Sequence, residues 1–389
     1  MDRPSRSNLG ELATVFLKLG TIGFGGTAAH VAMVEAEIVT RRRWISQVQF
    51  LDLVGVTNLI PGPSSTELAI YIGYLRAGWW GLIIAGVCFI VPAMAIVWGL
   101  AIGYDRVQEL PQAVAIFASV KPVVVVLTIQ AMWKLGKSAI KNIPTAVAGI
   151  AAIGLFGFLG INTLIVLLVA GIGVMLAQNW QQLTRLLPAI WLPTNIDINT
   201  QILAILPALT SQPSWVDVFT IFFKIGGTIY GGGYVLLAFL QPELVDRTHW
   251  LTSQQLLDAI AIGQVTPGPL FTTATFIGYL LAGHLGAIAA TVGIFLPSFI
   301  FVALVTPWVP QLRRSIWFGS WLDGVNVGAW GAIAVVAYRL GMDTLVNWQS
   351  VAIAIVSSLL LWRWKINVIW LMLGSAMVGL MGQLAQSPR

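Results

Sequence analysis

Two Pro-Gly-Pro triplets lie inside long apolar stretches, within IPGPSST at residues 60–66 and TPGPLFT at residues 266–272. Proline lacks an N–H and clashes with the preceding turn, so each triplet predicts a break in a helix. The helix that restarts after a break has unpaired N–H groups and a partial positive charge, which suit an anion. A simple proline kink is less favoured, because both places carry a second proline and a glycine. The predicted anion-binding residues are Pro61, Gly62, Pro63, Ser64 and Ser65 in one copy and Pro267, Gly268, Pro269 and Thr272 in the other.

Glycines cluster upstream of each triplet, at residues 20–26 and 226–233. Successive N–H groups in a glycine-rich turn can form a nest that binds an anion. Close packing between helices is an equally weighted alternative. The candidate substrate ligands in these turns are Gly25, Gly26, Gly231 and Gly232.

A lysine lies in the apolar segment before each glycine cluster. Lys18 follows Glu11 by seven residues, and Lys224 follows Asp217 by the same spacing. A lysine at this depth is costly unless it faces a polar interior, so both are predicted to face an anion path. The alternative is a lysine that extends to the interface and pairs with an acid there.

Three carboxylates are candidates for carrying a proton. Asp52 and Asp258 lie nearly two turns inside helices that begin with capping boxes, at Ser46 with Gln49 and at Thr252 with Gln255. Glu67 directly follows the first triplet. A carboxylate within a membrane segment is a functional candidate by default. For Asp52 and Asp258, a solvated acid near the start of a helix is an equal alternative.

The elements that must position these residues are membrane helices. Of 389 residues, 57% are hydrophobic and 9% are charged, whereas soluble domains carry about 25% charged residues. Runs such as 79–103, 143–177 and 283–305 are apolar on all sides and long enough to cross a hydrocarbon core of about 30 Å. We therefore expect an all-α polytopic membrane protein with about 10–13 spans. The lone Cys88 and the scattered histidines predict no metal or other cofactor, and a nucleic-acid partner is not expected.

The chain is a tandem repeat. With an offset of 206 residues, FLKLGTIGFGG at 16–26 aligns with FFKIGGTIYGG at 222–232, and the two Pro-Gly-Pro triplets coincide. After one deletion the offset becomes 205, and Pro92 aligns with Pro297. The halves are residues 8–178 and 214–384, joined by a linker at 179–213. A duplicated membrane domain is typical of transporters that bind substrate between the repeats; duplication for stability alone is the alternative.

The distribution of basic residues between loops suggests that the two halves have opposite orientation in the membrane. Arg76, Lys134 and Lys137 fall in even-numbered loops of the first half, whereas Arg247 and Arg363 fall in odd-numbered loops of the second. The run Arg41-Arg42-Arg43 argues against this inversion.

These residues resemble the chromate transporter family, also called the chromate ion transporter family, in its long two-domain form. The resemblance covers nearly the whole chain and depends on FGG at 24–26, YGGG at 230–233, the charged connectors ending in Trp44 and Trp250, and both Pro-Gly-Pro triplets. It implies a multi-pass protein of the bacterial inner membrane. Its expected function is chromate resistance by chromate efflux, as an antiporter driven by the proton-motive force. The expected partners are chromate or a sulfate-like oxyanion, protons and the lipid bilayer, and a homodimer is compatible with the sequence.

Several alternatives stay open. Chromate is a tetrahedral dianion like sulfate, so sulfate, molybdate or another oxyanion could be the substrate, and a passive anion channel could use the same helix ends. A membrane enzyme is disfavoured, because the sequence has no DxxD-like cluster and no HExxH motif. The two half-sites are not equivalent, since Thr266 replaces Ile60 and Gly233 replaces Thr27.

Overall fold

The computed structural model describes residues 6–24, 26–57, 60–180, 213–230, 233–305, 315–364 and 366–386. Within these ranges the protein is helical, with turns between helices. The candidates Gly25, Gly231 and Gly232 and most of the predicted linker lie outside the described residues. The first half forms α1 (Arg6–Ile22), α2 (Gly26–Glu35, continued by a π-helical turn at Ala36–Arg41), α3 (Gln47–Thr57), α4 (Ser64–Val107), α5 (Pro111–Ala139), α6 (Ile143–Gly157) and α7 (Thr163–Gln178).

The second half repeats this order. It forms α8 (Trp215–Gly226), α9 (Leu236–Leu240, continued by a π-helical turn at Gln241–Arg247), α10 (Ser253–Val265), α11 (Thr273–Val305), α12 (Ile316–Thr344), α13 (Trp348–Arg363) and α14 (Val368–Gln386). Five of the described helical stretches are long and apolar enough to cross a membrane: Ser64–Val107, Pro111–Ala139, Leu270–Val305, Ile316–Thr344 and Val368–Ala385. Length, apolar composition and the matching halves confirm the predicted polytopic all-α class.

The segment 10–34 is a helical hairpin formed by α1 and α2. Arg42, just after the π-helical turn, forms an ion pair with Glu11 near the start of α1, and Lys18 lies 3.2 Å from Glu37. Both ends of this pair of helices are therefore on the same side of the molecule. Its tip is the glycine turn between Ile22 and Gly26, where Gly26 has φ +75°, a conformation that glycine adopts without steric cost.

The segment 47–75 is a second hairpin, with the first Pro-Gly-Pro triplet at its tip. α3 ends at Thr57 and α4 begins at Ser64, which confirms the predicted break. The guanidinium of Arg76 lies 5.0 Å from the ring centroid of Trp44 and 3.6 Å from Glu11. Both hairpins thus enter from one side, called here the first surface and defined by Glu11, Trp44 and Arg76.

α4 itself reverses direction at Ala77 and Gly78, which have non-helical backbone angles. Its short arm, 64–76, packs against the beginning of its long arm, 79–107, because Gly73 has no side chain to separate it from Gly81 and Ala85. The long arm is 29 residues long by its bounds, about 43 Å at 1.5 Å per residue, and crosses the whole molecule. It ends near the start of α10, since Tyr104 is hydrogen-bonded to Asp258. We call this side the second surface and define it by the end of α4 at Val107 and the start of α10 at Ser253.

The second half is built in the same way but is inverted. α11 reverses at Ala282 and Gly283, with backbone angles close to those at Ala77 and Gly78. Near the second surface, Nε1 of Trp98 donates a hydrogen bond of 3.2 Å to Nδ1 of His284. Towards the first surface, Gly86 lies directly against the ring of Phe299. The long arms of α4 and α11 are therefore antiparallel, so the hairpins of the second half enter from the second surface, as the charge pattern suggested.

Helix starts follow the sequence closely. Ser46 and Gln49 exchange hydrogen bonds of 3.2 and 3.0 Å, and Thr252 and Gln255 form the corresponding capping box at α10. Asp217 closes a similar box with Ser214 at the start of α8. These caps satisfy N–H groups that have no partner inside the helix.

Candidate functional site

The four hairpin tips meet in the middle of the molecule. The N–H of Gly62 donates a hydrogen bond of 2.7 Å to the carbonyl of Ile229, and the N–H of Gly268 donates one of 2.6 Å to the carbonyl of Gly23. Each Pro-Gly-Pro triplet is thus bonded to the glycine turn of the opposite half. We call this arrangement of residues 22–24, 26, 60–67, 227–230 and 266–273 the crossing.

The crossing lies at about half the depth of a bilayer. Gly20, near the tip of the first hairpin, packs against the carbonyl of Phe89. Phe89 is ten residues into the long arm that begins at residue 79, or about 15 Å along its axis, which is half of a hydrocarbon core of about 30 Å. Residues 60–73 are buried without interruption. Broken backbone at this depth is tolerated only inside protein or along a cavity.

Several helix N-termini converge on the crossing. α2 begins at Gly26 and α4 begins at Ser64, while the second half contributes the 3-10 turns before α9 and α11. The first N–H groups of each helix have no intrahelical partner and carry partial positive charge. Pro61, Gly62, Pro63, Ser64 and Ser65 are therefore brought to a place where an anion would be stabilised.

Glu67 is a buried carboxyl at this place, in the first turn of α4. Its side chain is 0% exposed, and neither carboxyl oxygen has a hydrogen-bond partner among the described residues. A Cβ atom on Gly62 would collide with both Oε1 of Glu67 and Oγ of Ser298, so carboxyl and hydroxyl lie side by side over the triplet. An unpaired charge here would be costly, so the site favours a protonated Glu67 or a movable partner.

The equivalent place in the second half is uncharged. At the repeat offsets, Thr273 replaces Glu67 and Ala93 replaces Ser298, and Ala93 lies against Gly268 as Ser298 lies against Gly62. Thr272 is 0% exposed and donates its hydroxyl proton to the carbonyl of Pro269 at 2.8 Å. The two half-sites therefore differ at more positions than the exchange of Ile60 for Thr266, and only the first half-site carries a carboxyl here.

His30 contacts the crossing from α2. It is 1% exposed, and its Nε2 atom lies 2.9 Å from the carbonyl of Gly23. The same carbonyl accepts the hydrogen bond from Gly268. His30 therefore helps to position the tip of the first hairpin.

Lys18 and Lys224 lie away from the crossing, beside acids of the charged connectors. Nζ of Lys18 is 3.2 Å from Glu37, and Nζ of Lys224 is 2.5 Å from Glu243. Burial tends to raise the pKa of Glu37, but hydrogen bonds from Arg42 and Lys18 and the charge of Arg41 lower it overall. Each lysine is therefore paired with a connector glutamate, and the acids seven residues before them have other partners.

The two aspartates have different environments. Asp52 is exposed and has a partner in the structure, whereas Asp258 is 3% exposed. Oδ2 of Asp258 accepts a hydrogen bond of 2.9 Å from the hydroxyl of Tyr104, and Oδ1 lies 3.5 Å from Nζ of Lys121. Lys121 and Tyr104 were not identified from the sequence. A lysine inside the apolar run 112–133 was the available signal for Lys121.

Three cavities lie around the hairpins and the helices next to them. One of about 440 Å³ is lined mainly by apolar residues, reaches Pro61 and Tyr230, and extends to Val305 near the first surface. Another of about 610 Å³ opens near the second surface and is lined by Lys121 and Leu257. A third of about 460 Å³ is lined by Lys224, Arg247 and Arg339 among others. Of these three, the first and third include residues of the crossing among their lining residues, and the second does not.

A sequence profile of the chromate transporter family matches residues 10–175 and 216–380. The chain is 29% identical over 385 residues to the chromate transport protein of Cupriavidus metallidurans, covering 96% of this chain and 92% of that protein. It is 31% identical over 382 residues to an uncharacterized transporter of Methanocaldococcus jannaschii, covering 94% and 92%. It is 29% identical over 364 residues to a probable chromate transport protein of Synechococcus elongatus, covering 92% and 90%. No solved structure matches the chain. The resemblance expected from the motifs is confirmed, and the matched ranges fit two tandem halves.

Proposed function

Because the chain belongs to the chromate transporter family, we propose that it exports chromate across the membrane by alternating access and uses the proton gradient as an antiporter. The relatives that share nearly its whole length are named as transport proteins, and the chain is a transporter rather than an enzyme. The oxyanion would bind at the crossing, between the cavities that open toward opposite surfaces.

The observation that carries this proposal is the exchange of hydrogen bonds between opposite halves, from Gly62 to Ile229 and from Gly268 to Gly23. These two hydrogen bonds hold the hairpin tips together and would close a pathway through the crossing. Helix N-termini begin at the same tips. A tetrahedral dianion entering between the tips would meet these N–H groups and the hydroxyls of Ser64 and Ser65. Movement of one pair of hairpins against the other would then open the crossing to either cavity.

Glu67 supports proton coupling. When ionised, its carboxylate would be an anion at the start of α4 and would compete with the substrate for the same positive helix ends. When protonated, it would leave them free. Proton and oxyanion occupancy are thereby linked at one place. Asp258 and Asp52 are further candidates on the two sides of the molecule.

The positive-inside rule supports an orientation in which the first surface faces the cytoplasm and the protein lies in a cell's inner membrane. Basic residues of the described ranges favour the first surface: Arg41, Arg42, Arg43, Arg76, Lys134, Lys137 and Lys141 lie at or near it, against Arg106, Arg247 and Arg339 at the second surface. Lys18 would then lie at the entrance for the cytoplasmic anion. Lys224 lies at the opposite side, on the wall of a cavity with other basic residues.

The test is radiolabelled chromate uptake into everted membrane vesicles that contain this chain. We expect accumulation with an imposed proton gradient, loss of accumulation with a protonophore, and inhibition by excess sulfate. Empty-vector vesicles are the matched control. Uptake of sulfate without chromate would change the substrate to another oxyanion. Downhill movement that ignores the gradient would make the protein a passive channel and contradict the coupling.

A further inference from the structure

A second polar cluster lies between the two halves, near the second surface and away from the crossing. It joins Lys121 of α5, Asp258 of α10 and Tyr104 of the long arm of α4. The side chains of Lys121 and Asp258 are only 10% and 4% exposed. Three helices from two halves therefore bring a lysine, a carboxylate and a phenol together in a largely buried place.

The ion pair in this cluster is loose. Charge-assisted N–O hydrogen bonds are typically about 2.7–2.9 Å long, whereas Nζ of Lys121 is 3.5 Å from Oδ1 of Asp258. That oxygen has no hydrogen-bond partner among the described residues. A second acceptor placed next to Lys121 could therefore gain an interaction that Asp258 does not fully make.

Space for such an acceptor is present. Lys121 lines the cavity of about 610 Å³, and its walls also carry hydroxyl and amide groups, including those of Ser119, Gln254 and Asn347. A water molecule takes up about 30 Å³, so the cavity can hold an oxyanion together with several waters. Lys121 thus stands between the cavity and Asp258.

The cluster is not a consequence of the duplication. At the repeat offsets, Asn326 replaces Lys121 and Val309 replaces Tyr104. Asp52 replaces Asp258 and is exposed. Burying a charged pair costs free energy that an apolar replacement would avoid, and only one half carries this cost. Symmetry of the fold therefore does not explain why Lys121 is there.

We propose that Lys121 is the cationic ligand of a second oxyanion-binding site on the wall of this cavity, and that Asp258 is an internal carboxylate that competes with the oxyanion for it. The proposal rests on the function proposed above, since it names a second station on the same oxyanion pathway. In the orientation proposed there, the cavity opens outward, and the return of Asp258 to Lys121 displaces the oxyanion before release.

Binding at this site depends on pH. Protonation of Asp258 removes the competing charge, so oxyanion affinity rises as pH falls. The titratable groups that contact Asp258 or line the cavity in the described residues are Lys121, Tyr104 and Asp343. Tyr104 acts as a neutral donor. Asp343 is a second negative charge, so Asp343→Asn is needed to separate its contribution from that of Asp258.

The test is binding of inorganic sulfate to the purified full-length protein in lipid nanodiscs, measured by calorimetry at acidic and alkaline pH. Asp258→Asn is expected to bind at least about tenfold more tightly than wild type at neutral pH, from the gain of one hydrogen bond to a charged group. It should also lose most of the pH dependence, while Asp343→Asn keeps it. Wild-type pH dependence in Asp258→Asn would overturn the proposal.

The role of Lys121 is tested in the same Asp258→Asn background. Lys121→Gln alone would leave an unpaired buried carboxylate, which can prevent folding, so the double variant Lys121→Gln/Asp258→Asn is compared with Asp258→Asn. The double variant should bind about tenfold more weakly, and Lys121→Arg/Asp258→Asn should bind like Asp258→Asn. Lys137→Gln, an exposed lysine at the other end of α5, is the matched control. Equal affinities in the first comparison would overturn the proposal.

The two proposals fail in different experiments. If wild-type vesicles move neither chromate nor sulfate, the proposed function fails, and sulfate binding to the purified variants still decides the role of Lys121. If wild-type vesicles export chromate but the variant pair binds sulfate equally, only the second site fails.

Discussion

Replacement of Gly62 by alanine tests the crossing most directly. Gly62 has φ +139°, where a residue with a side chain is strained, and an added Cβ would collide with Glu67 and Ser298. Strain of this kind costs about 1–3 kcal/mol. The collision would also shift the backbone and so disrupt the hydrogen bond from its N–H to Ile229, which costs about 1 kcal/mol more. The closed crossing should therefore be destabilised by about 2–4 kcal/mol.

The control is Gly78→Ala at the reversal of α4. Gly78 also has a positive φ, +62°, but an added Cβ there would meet nothing within 4 Å. Its cost is the backbone strain alone, about 1–3 kcal/mol, and it lies far from the crossing. Both variants replace a glycine of positive φ with alanine. Only Gly62→Ala adds a collision, and only Gly62 lies in the crossing.

Both variants would be expressed and compared for membrane level, thermal unfolding in detergent, and chromate uptake in everted vesicles. At 1.36 kcal/mol for each factor of ten, we expect Gly62→Ala to lose at least about tenfold in gradient-driven uptake at equal membrane level. Gly78→Ala should keep uptake within about threefold of wild type. Normal uptake by Gly62→Ala, or equal loss in both variants, would refute the assignment of the crossing as the transport site.

Three further substitutions probe the polar residues around this site. Glu67→Gln should abolish proton-driven accumulation while downhill chromate exchange continues, because a neutral side chain cannot carry the proton; uphill export by this variant, measured in the same vesicles, would remove Glu67 from the coupling. Pro63→Ala should extend α4 backwards and remove free N–H groups, with loss of uptake at normal membrane level; failure to insert would make the triplet structural. Lys18→Ala should raise the half-saturation constant for chromate, whereas unchanged kinetics would limit Lys18 to its pairing with Glu37.

Several features of the fold could be predicted because they depend on local chemistry. Pro61 and Pro63 cannot continue a helix, and α3 does end before them. Ser46 and Thr252 form the expected caps because capping requires only residues three positions apart. The charge bias indicated the inversion of the halves, and the antiparallel long arms agree with it. Glu67 was identified as a carboxyl next to a break.

Other features depend on contacts between distant residues. The breaks after Ile22 and after Thr57 are each compatible with a kinked span or with a hairpin. Contacts between distant residues distinguish the two: Arg42 with Glu11 for the first break, and Arg76 with Glu11 and Trp44 for the second. The sequence placed Lys18 either on an anion path or beside an interfacial acid, and it did not identify the acid. Its partner Glu37 is 19 residues away on the returning helix.

The sequence by itself therefore determined that this is a duplicated membrane protein with broken helices and polar residues next to the breaks. Composition and the repeat offset are properties of the sequence alone, and the missing N–H of proline affects only neighbouring residues. All three can therefore be interpreted without coordinates. The tertiary structure decided which broken ends meet. Gly62 bonds to Ile229, and Lys121 meets Asp258 at a separation of 137 residues by their numbering. Such contacts join opposite halves, and they follow from how inverted repeats pack rather than from any local spacing.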